Sequence, residues 1–110
     1  MSEGTASERQ ASIDALLRKY PDLAIPGLEM RYEPLLDQHP FYQGVAASTF
    51  STEQGTTVLI GSLGIGQSEE ELAITILHEI YHVLNPEDQS AGKEERAEEF
   101  AHARWRAIRE

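Results

Sequence analysis

The residues best placed by type and spacing to do chemistry are His78, Glu79 and His82, in the run His78-Glu79-Ile80-Tyr81-His82. On a helix, histidines at i and i+4 stand one turn apart on the same face. Their ring nitrogens can then meet on one divalent cation, and the glutamate beside the first can take a proton from water held there. The expected cofactor is Zn²⁺, and the expected chemistry is metal-assisted hydrolysis with Glu79 as catalytic general base. The chain has no Cys, which excludes a thiolate-closed zinc site and a thiol nucleophile.

The surroundings suit such a helix. Leu72-Ala73-Ile74-Thr75-Ile76-Leu77 before the histidines and Val83-Leu84 after them carry no charge. On a helical wheel at about 100° per residue, Glu71, Thr75 and Glu79 fall beside His78 and His82. The apolar residues spread over the other side, which would seat the helix on a core.

A catalytic zinc takes a third protein ligand and leaves one position open. Four residues could supply it. Glu94, Glu98 and His102 form an i, i+4, i+8 stripe that borders the apolar side of a C-terminal helix. Glu95 points further toward solvent. Asp88 follows His82 closely in the chain. A donor for the oxyanion would come from Tyr42 or His39, or else from Tyr32 or His102. Tyr81 points to the helix side, where packing is its expected role.

The elements that must position these groups can be read in order. Residues 1–6 read as a flexible start. Ser7 and Gln10 have the spacing of a capping box, and Ile13, Leu16, Leu17 and Tyr20 repeat at helical spacing, which predicts a helix over 8–19. Pro26-Gly27 marks a turn. Leu28, Met30 and Tyr32 alternate with charged residues, as in a half-buried strand ended by Pro34. Residues 34–43 read as an aromatic-containing loop. Runs 44–50 and 56–61 around Glu53-Gln54-Gly55 predict a hairpin with a three-residue loop. Val58-Leu59-Ile60 suggests a strand covered on both faces, and 44–50 an edge strand. Gly61, Gly64 and Gly66 suggest a loose crossing. They make no phosphate loop. Ser68 and Glu71 form a second capping box for a helix over 69–84 that stops at Asn85-Pro86. A last helix over about 92–109 buries Ala97, Phe100, Ala101, Trp105 and Ile108.

The chain has 110 residues, 40% of them hydrophobic, which fits one domain over 1–110. No apolar run approaches the roughly 18 residues of a membrane span, and no signal-peptide pattern opens the sequence. A cytoplasmic location without membrane contact is expected. Acidic residues outnumber basic ones 19 to 9, for a net charge of −10. That charge repels a phosphate backbone, so no direct nucleic-acid binding is expected, and it attracts a basic protein.

His78-Glu79-Ile80-Tyr81-His82 followed by Glu94-Glu95-Arg96-Ala97-Glu98-Glu99-Phe100-Ala101 resembles the ImmA/IrrE metallopeptidases. These carry H-E-x-x-H and then a helix of the form E-x-x-A-[N/D]-x-F-A. The flanks of the first motif, Thr75, Ile80, Tyr81, Val83 and Leu84, also comply with the wider zincin pattern. The resemblance spans about 28–109. It implies that Glu94 is the third metal ligand and that Glu98 supports a ligand histidine from behind, as an Asp does in gluzincins. It implies an α+β fold: a small zincin-like domain with an N-terminal helix, a three-stranded mostly antiparallel sheet, an active-site helix and a C-terminal ligand helix. It further implies an edge strand that pairs with an extended peptide, and a zinc metallopeptidase that acts on a protein such as a basic helix-turn-helix repressor. Glu98 departs from the family's Asn or Asp by one methylene, and the short chain is similar to the minigluzincins. Some of those are held inactive by their own terminal segments, a role that 1–20 or the C-terminal end could play here.

The metzincin pattern would use Asp88 as ligand and Asn85 as its turn. Pro86 opposes this by restricting Asn85 toward extended backbone, and no Met follows to make that family's Met-turn. Peptide deformylases need a Cys ligand and are excluded. A domain of this fold that regulates or binds without turnover is the alternative class.

Overall fold

Ile13 and Leu16 are buried and Leu17 and Tyr20 half-buried, and in the computed structural model they lie along one side of α1 (Ala6–Lys19). The structure describes residues 6–25, 27–38, 47–53, 55–65 and 68–109. The helix begins at Ala6, so Ser7 lies inside its first turn rather than capping it. Gln10 is used elsewhere: its side-chain carbonyl accepts the Tyr32 N–H at 2.9 Å, and its amide donates to Asp14 at 3.1 Å. A part-buried strand N–H must be paired, whereas a helix start can be solvated, so the strand wins.

Pro21 opens a 3₁₀ turn (Pro21–Leu23) that buries Leu23. The chain then enters β1 (Leu28–Tyr32), crosses through a one-turn helix α2 (Leu35–Gln38), and forms the hairpin β2 (Ala47–Thr52) and β3 (Gly55–Ile60). The three strands lie in the order β1-β3-β2. β2 pairs antiparallel with β3, and β1 pairs parallel with it. The parallel pair follows from the crossover, since α2 and β2 both intervene between β1 and β3.

Strand alternation decides what reaches the helices. Met30, Val58 and Thr49 are in register across the sheet and so share one face. Val58 and Ile60 are fully buried, while Leu59 between them is only half-buried. The central strand is therefore fully covered on one face, not on both as its apolar run suggested. The hairpin loop is also tighter than predicted. Thr52 pairs with Gly55, and Gly55 takes φ +140°, a conformation open to glycine, where a Cβ would meet the Gly27 carbonyl at 3.2 Å.

The expected loose crossing after β3 is a helical turn, α3 (Ser62–Ile65). Asp37 holds its start, accepting the Ser62 N–H at 2.8 Å and the Ser62 hydroxyl at 2.7 Å. Gly61 lets α2 approach, because a Cβ there would fall 2.9 Å from Leu36 Cβ.

Two long helices complete the fold. Ser68 caps α4 (Glu69–Leu84), its Oγ accepting the Glu71 N–H at 3.1 Å. Leu72, Ala73, Ile76, Leu77 and Ile80 bury one side of α4. α5 (Lys93–Arg109) buries Ala97, Ala101 and Trp105 at four-residue spacing. Two alanines in that stripe allow close packing of α5 against α4. One core joins residues of α1, β1, β3, α4 and α5. Among the described residues no helix is long and apolar enough to cross a membrane.

Candidate metal centre

The polar stripe of α4 meets the first two turns of α5. Glu94 Oε1 lies 2.7 Å from His78 Nε2 and 3.1 Å from His82 Nε2. One turn along α5, Glu98 Oε1 lies 2.7 Å from His78 Nδ1. Together, His78, Glu79 and His82 form a group that could hold a metal ion, with ligand atoms within 4.8 Å of one another. Glu94 joins that group through its single oxygen on both imidazoles.

Proton counting shows what this arrangement needs. A neutral imidazole has one N–H. His78 faces a carboxylate oxygen at both ring nitrogens, so one of the two contacts requires a second proton or a metal cation. His82 brings a further ring nitrogen to the same Glu94 oxygen. A divalent cation among the three atoms would satisfy all of them at once. Glu98 would then fix the tautomer and orientation of His78 from behind. The donor set, two imidazoles and a carboxylate, suits zinc.

The same contacts set the electrostatics. Burial alone would lower the His78 pKa, but hydrogen bonds to Glu94 and Glu98 and the charge of Glu79 outweigh it, and the net shift is upward. Burial likewise pushes Glu94 up, but the two imidazoles outweigh it and its net shift is downward. The His78 side chain is 18% exposed and that of Glu94 60%, so the convergence lies at a rim that solvent can reach.

Glu79 points to the sheet. Its Oε1 accepts the hydroxyl hydrogen of Thr49 at 2.6 Å. Thr49 gives no signal in the sequence, because its role depends on the register that places it beside Val58 on the helix-facing side of β2.

The remaining candidates are committed elsewhere. Asp88 binds Arg96 through both oxygens, at 2.7 and 3.0 Å, and accepts the Tyr81 hydroxyl at 2.6 Å. Arg96, then Tyr81 and Ser90, hold the Asp88 carboxyl far below the usual carboxylate range. Asn85 has φ −129°, so the left-handed turn that a ligand role for Asp88 would need is not made. Tyr81 thus packs its ring 5.7 Å from that of Phe100 and also anchors the loop. Among the described residues His102 reaches Glu98, at 3.4 Å, and neither ligand histidine. The Tyr32 hydroxyl binds Asp37 and Arg9. His39 and Tyr42 lie outside the described residues. Arg96 went unnoticed in the sequence, where it reads as one charge among many.

A cleft of about 330 Å³ runs beside the centre. It is lined by Ala47, Ser48 and Thr49 of β2, Glu79 and His82 of α4, Asn85, Pro86, Asp88 and Gln89 of the loop, and Lys93 and Glu94 of α5. A larger hollow of about 410 Å³ between α1, α3 and α4 is lined mainly by aliphatic and small residues and the closed Lys19–Glu69 ion pair. It holds no group suited to the chemistry above. No family model, curated protein or solved structure matches the chain, so the likeness to the ImmA/IrrE metallopeptidases rests on the quoted residues alone.

Proposed function

We propose that this chain is a zinc-dependent metallopeptidase that hydrolyses a peptide bond in a protein or peptide. The observation that carries the reading is the Glu94 oxygen faced by both His78 and His82, with Glu98 behind His78. His78, His82 and Glu94 would hold the ion. Zinc, when bound, supplies Lewis acidity toward the scissile carbonyl and the attacking water.

The chain's own residues do the rest. Glu79 takes the proton from the attacking water and passes it to the leaving amine. Thr49 holds the carboxylate in place for both transfers. Among the described residues β2 pairs only with β3, and it lines the cleft, which supports an extended peptide pairing along it. The net charge of −10 favours a basic partner at long range. A helix-turn-helix repressor is the form the family likeness suggests.

The test is metal content by mass spectrometry on protein purified without chelator, with hydrolysis of a mixed peptide library alongside. Wild type should carry about one zinc per chain, a single-ion site. His78→Ala should lose it, and Glu79→Gln should keep it while abolishing hydrolysis. A wild-type chain that takes up no zinc on reconstitution sinks the proposal.

A further inference from the structure

Lys93 is the single basic residue lining the cleft. It is half-buried at the first position of α5, directly before Glu94. An ammonium has three N–H donors. Lys93 spends one on the neutral side-chain carbonyl of Gln89, at 3.3 Å, and has no carboxylate partner among the described residues. The acidic groups of the cleft are engaged by other donors: Asp88 by Arg96, Glu94 by the two imidazoles, Glu79 by Thr49. Lys93 thus lines the cleft with no carboxylate paired to it among the described residues.

We infer that Lys93 selects a substrate carrying a carboxylate next to the scissile bond. The carboxylate can be a side chain or the chain terminus, because both present the same charge and acceptors. A phosphate would bring more negative charge beside Glu79 and Glu94 than one ammonium balances. This selection is local and compatible with long-range attraction to a basic protein. It rests on the peptidase reading.

The test uses the zinc-loaded chain and a set of peptide hydroxamates, whose hydroxamate anchors on the metal. The probes differ at one residue: glutamate, glutamine or lysine as amides, and glutamine with a free terminal carboxylate. Calorimetry reads each affinity, and metal content is measured for every variant. One charge-assisted hydrogen bond predicts that a carboxylate probe binds about tenfold tighter than the glutamine amide. Comparing the glutamate amide with the free-terminus probe tells side chain from terminus. Lys93→Ala should erase the preference, Lys93→Arg keep it, and Lys93→Glu turn it toward the lysine probe. Zinc bound with no preference in wild type, no probe binding, or a preference that survives Lys93→Ala overturns the role of Lys93 alone. Failure to bind zinc overturns the peptidase reading, and the role of Lys93 with it.

Discussion

Thr49 donates its hydroxyl hydrogen to Glu79 across 30 positions of sequence and so ties the β2 edge to the carboxylate of the candidate base. Thr49→Val should lower kcat roughly tenfold, the scale of one hydrogen bond to a charged group, with metal content unchanged. Thr49→Ser should restore most of it. Steady-state kinetics on a library-derived peptide, with metal content alongside, reads both. Equal kcat for Thr49→Val and wild type would remove Thr49 from the site.

Glu94 and Glu98 stand on the same face of α5 but touch different atoms of His78, Nε2 and Nδ1. Their substitutions should therefore differ in size. Glu94→Ala removes a ligand and should abolish stoichiometric zinc. Glu98→Gln keeps a hydrogen-bond acceptor behind His78 but loses the charge, and zinc affinity should fall by roughly 10- to 100-fold. Competition with a chromogenic chelator separates the two. The reverse ranking would exchange their roles.

Acid should expose the work of Asp37. Burial alone would raise its carboxyl, but hydrogen bonds from Tyr32 and Ser62 and the charge of Arg9 outweigh it, and the net shift is below 3.8. A carboxyl depressed in the folded state stabilises the fold above its unfolded value and loses that contribution as pH falls through the folded one. The stability gap between wild type and Asp37→Asn should be constant through neutral pH and close below about pH 4. Urea denaturation at stepped pH measures it, and a gap that widens in acid would contradict the assignment.

Gly61→Ala places a methyl 2.9 Å from Leu36 Cβ, an atom fixed to the α2 backbone rather than the tip of a flexible chain. The helix must shift, and the cost should be about 1–3 kcal/mol. Thermal unfolding checks it. A variant as stable as wild type would show that α2 is loosely seated.

What could be read from the sequence was local. The bounds of α4 follow from the Ser68 cap at one end and Asn85-Pro86 at the other, both within a turn of the residues they govern. Helical spacing put Glu94 on one stripe of α5 with Glu98 and His102, and only the family resemblance singled it out among them. Three features depended on distant partners and were not readable. Thr49 reaches Glu79 through strand register. Asp88 turns to Arg96 because the loop brings the guanidinium to it, and no spacing rule encodes that choice. Gln10 leaves its expected capping role because the Tyr32 N–H, far along the chain, has the stronger demand.

The donors of the candidate metal centre all stand on one helical hairpin. His78 and Glu98 are only 20 positions apart, and a short clasped loop joins their helices. Closing so short a loop costs little chain entropy. An ion can thus gather its ligands while the sheet is still unpaired, and its free energy of binding becomes free energy of folding. The base acquires its threonine partner only when β2 docks. On the proposed reading, ion capture would draw on the helical hairpin alone, whereas the Thr49–Glu79 contact would wait for the sheet.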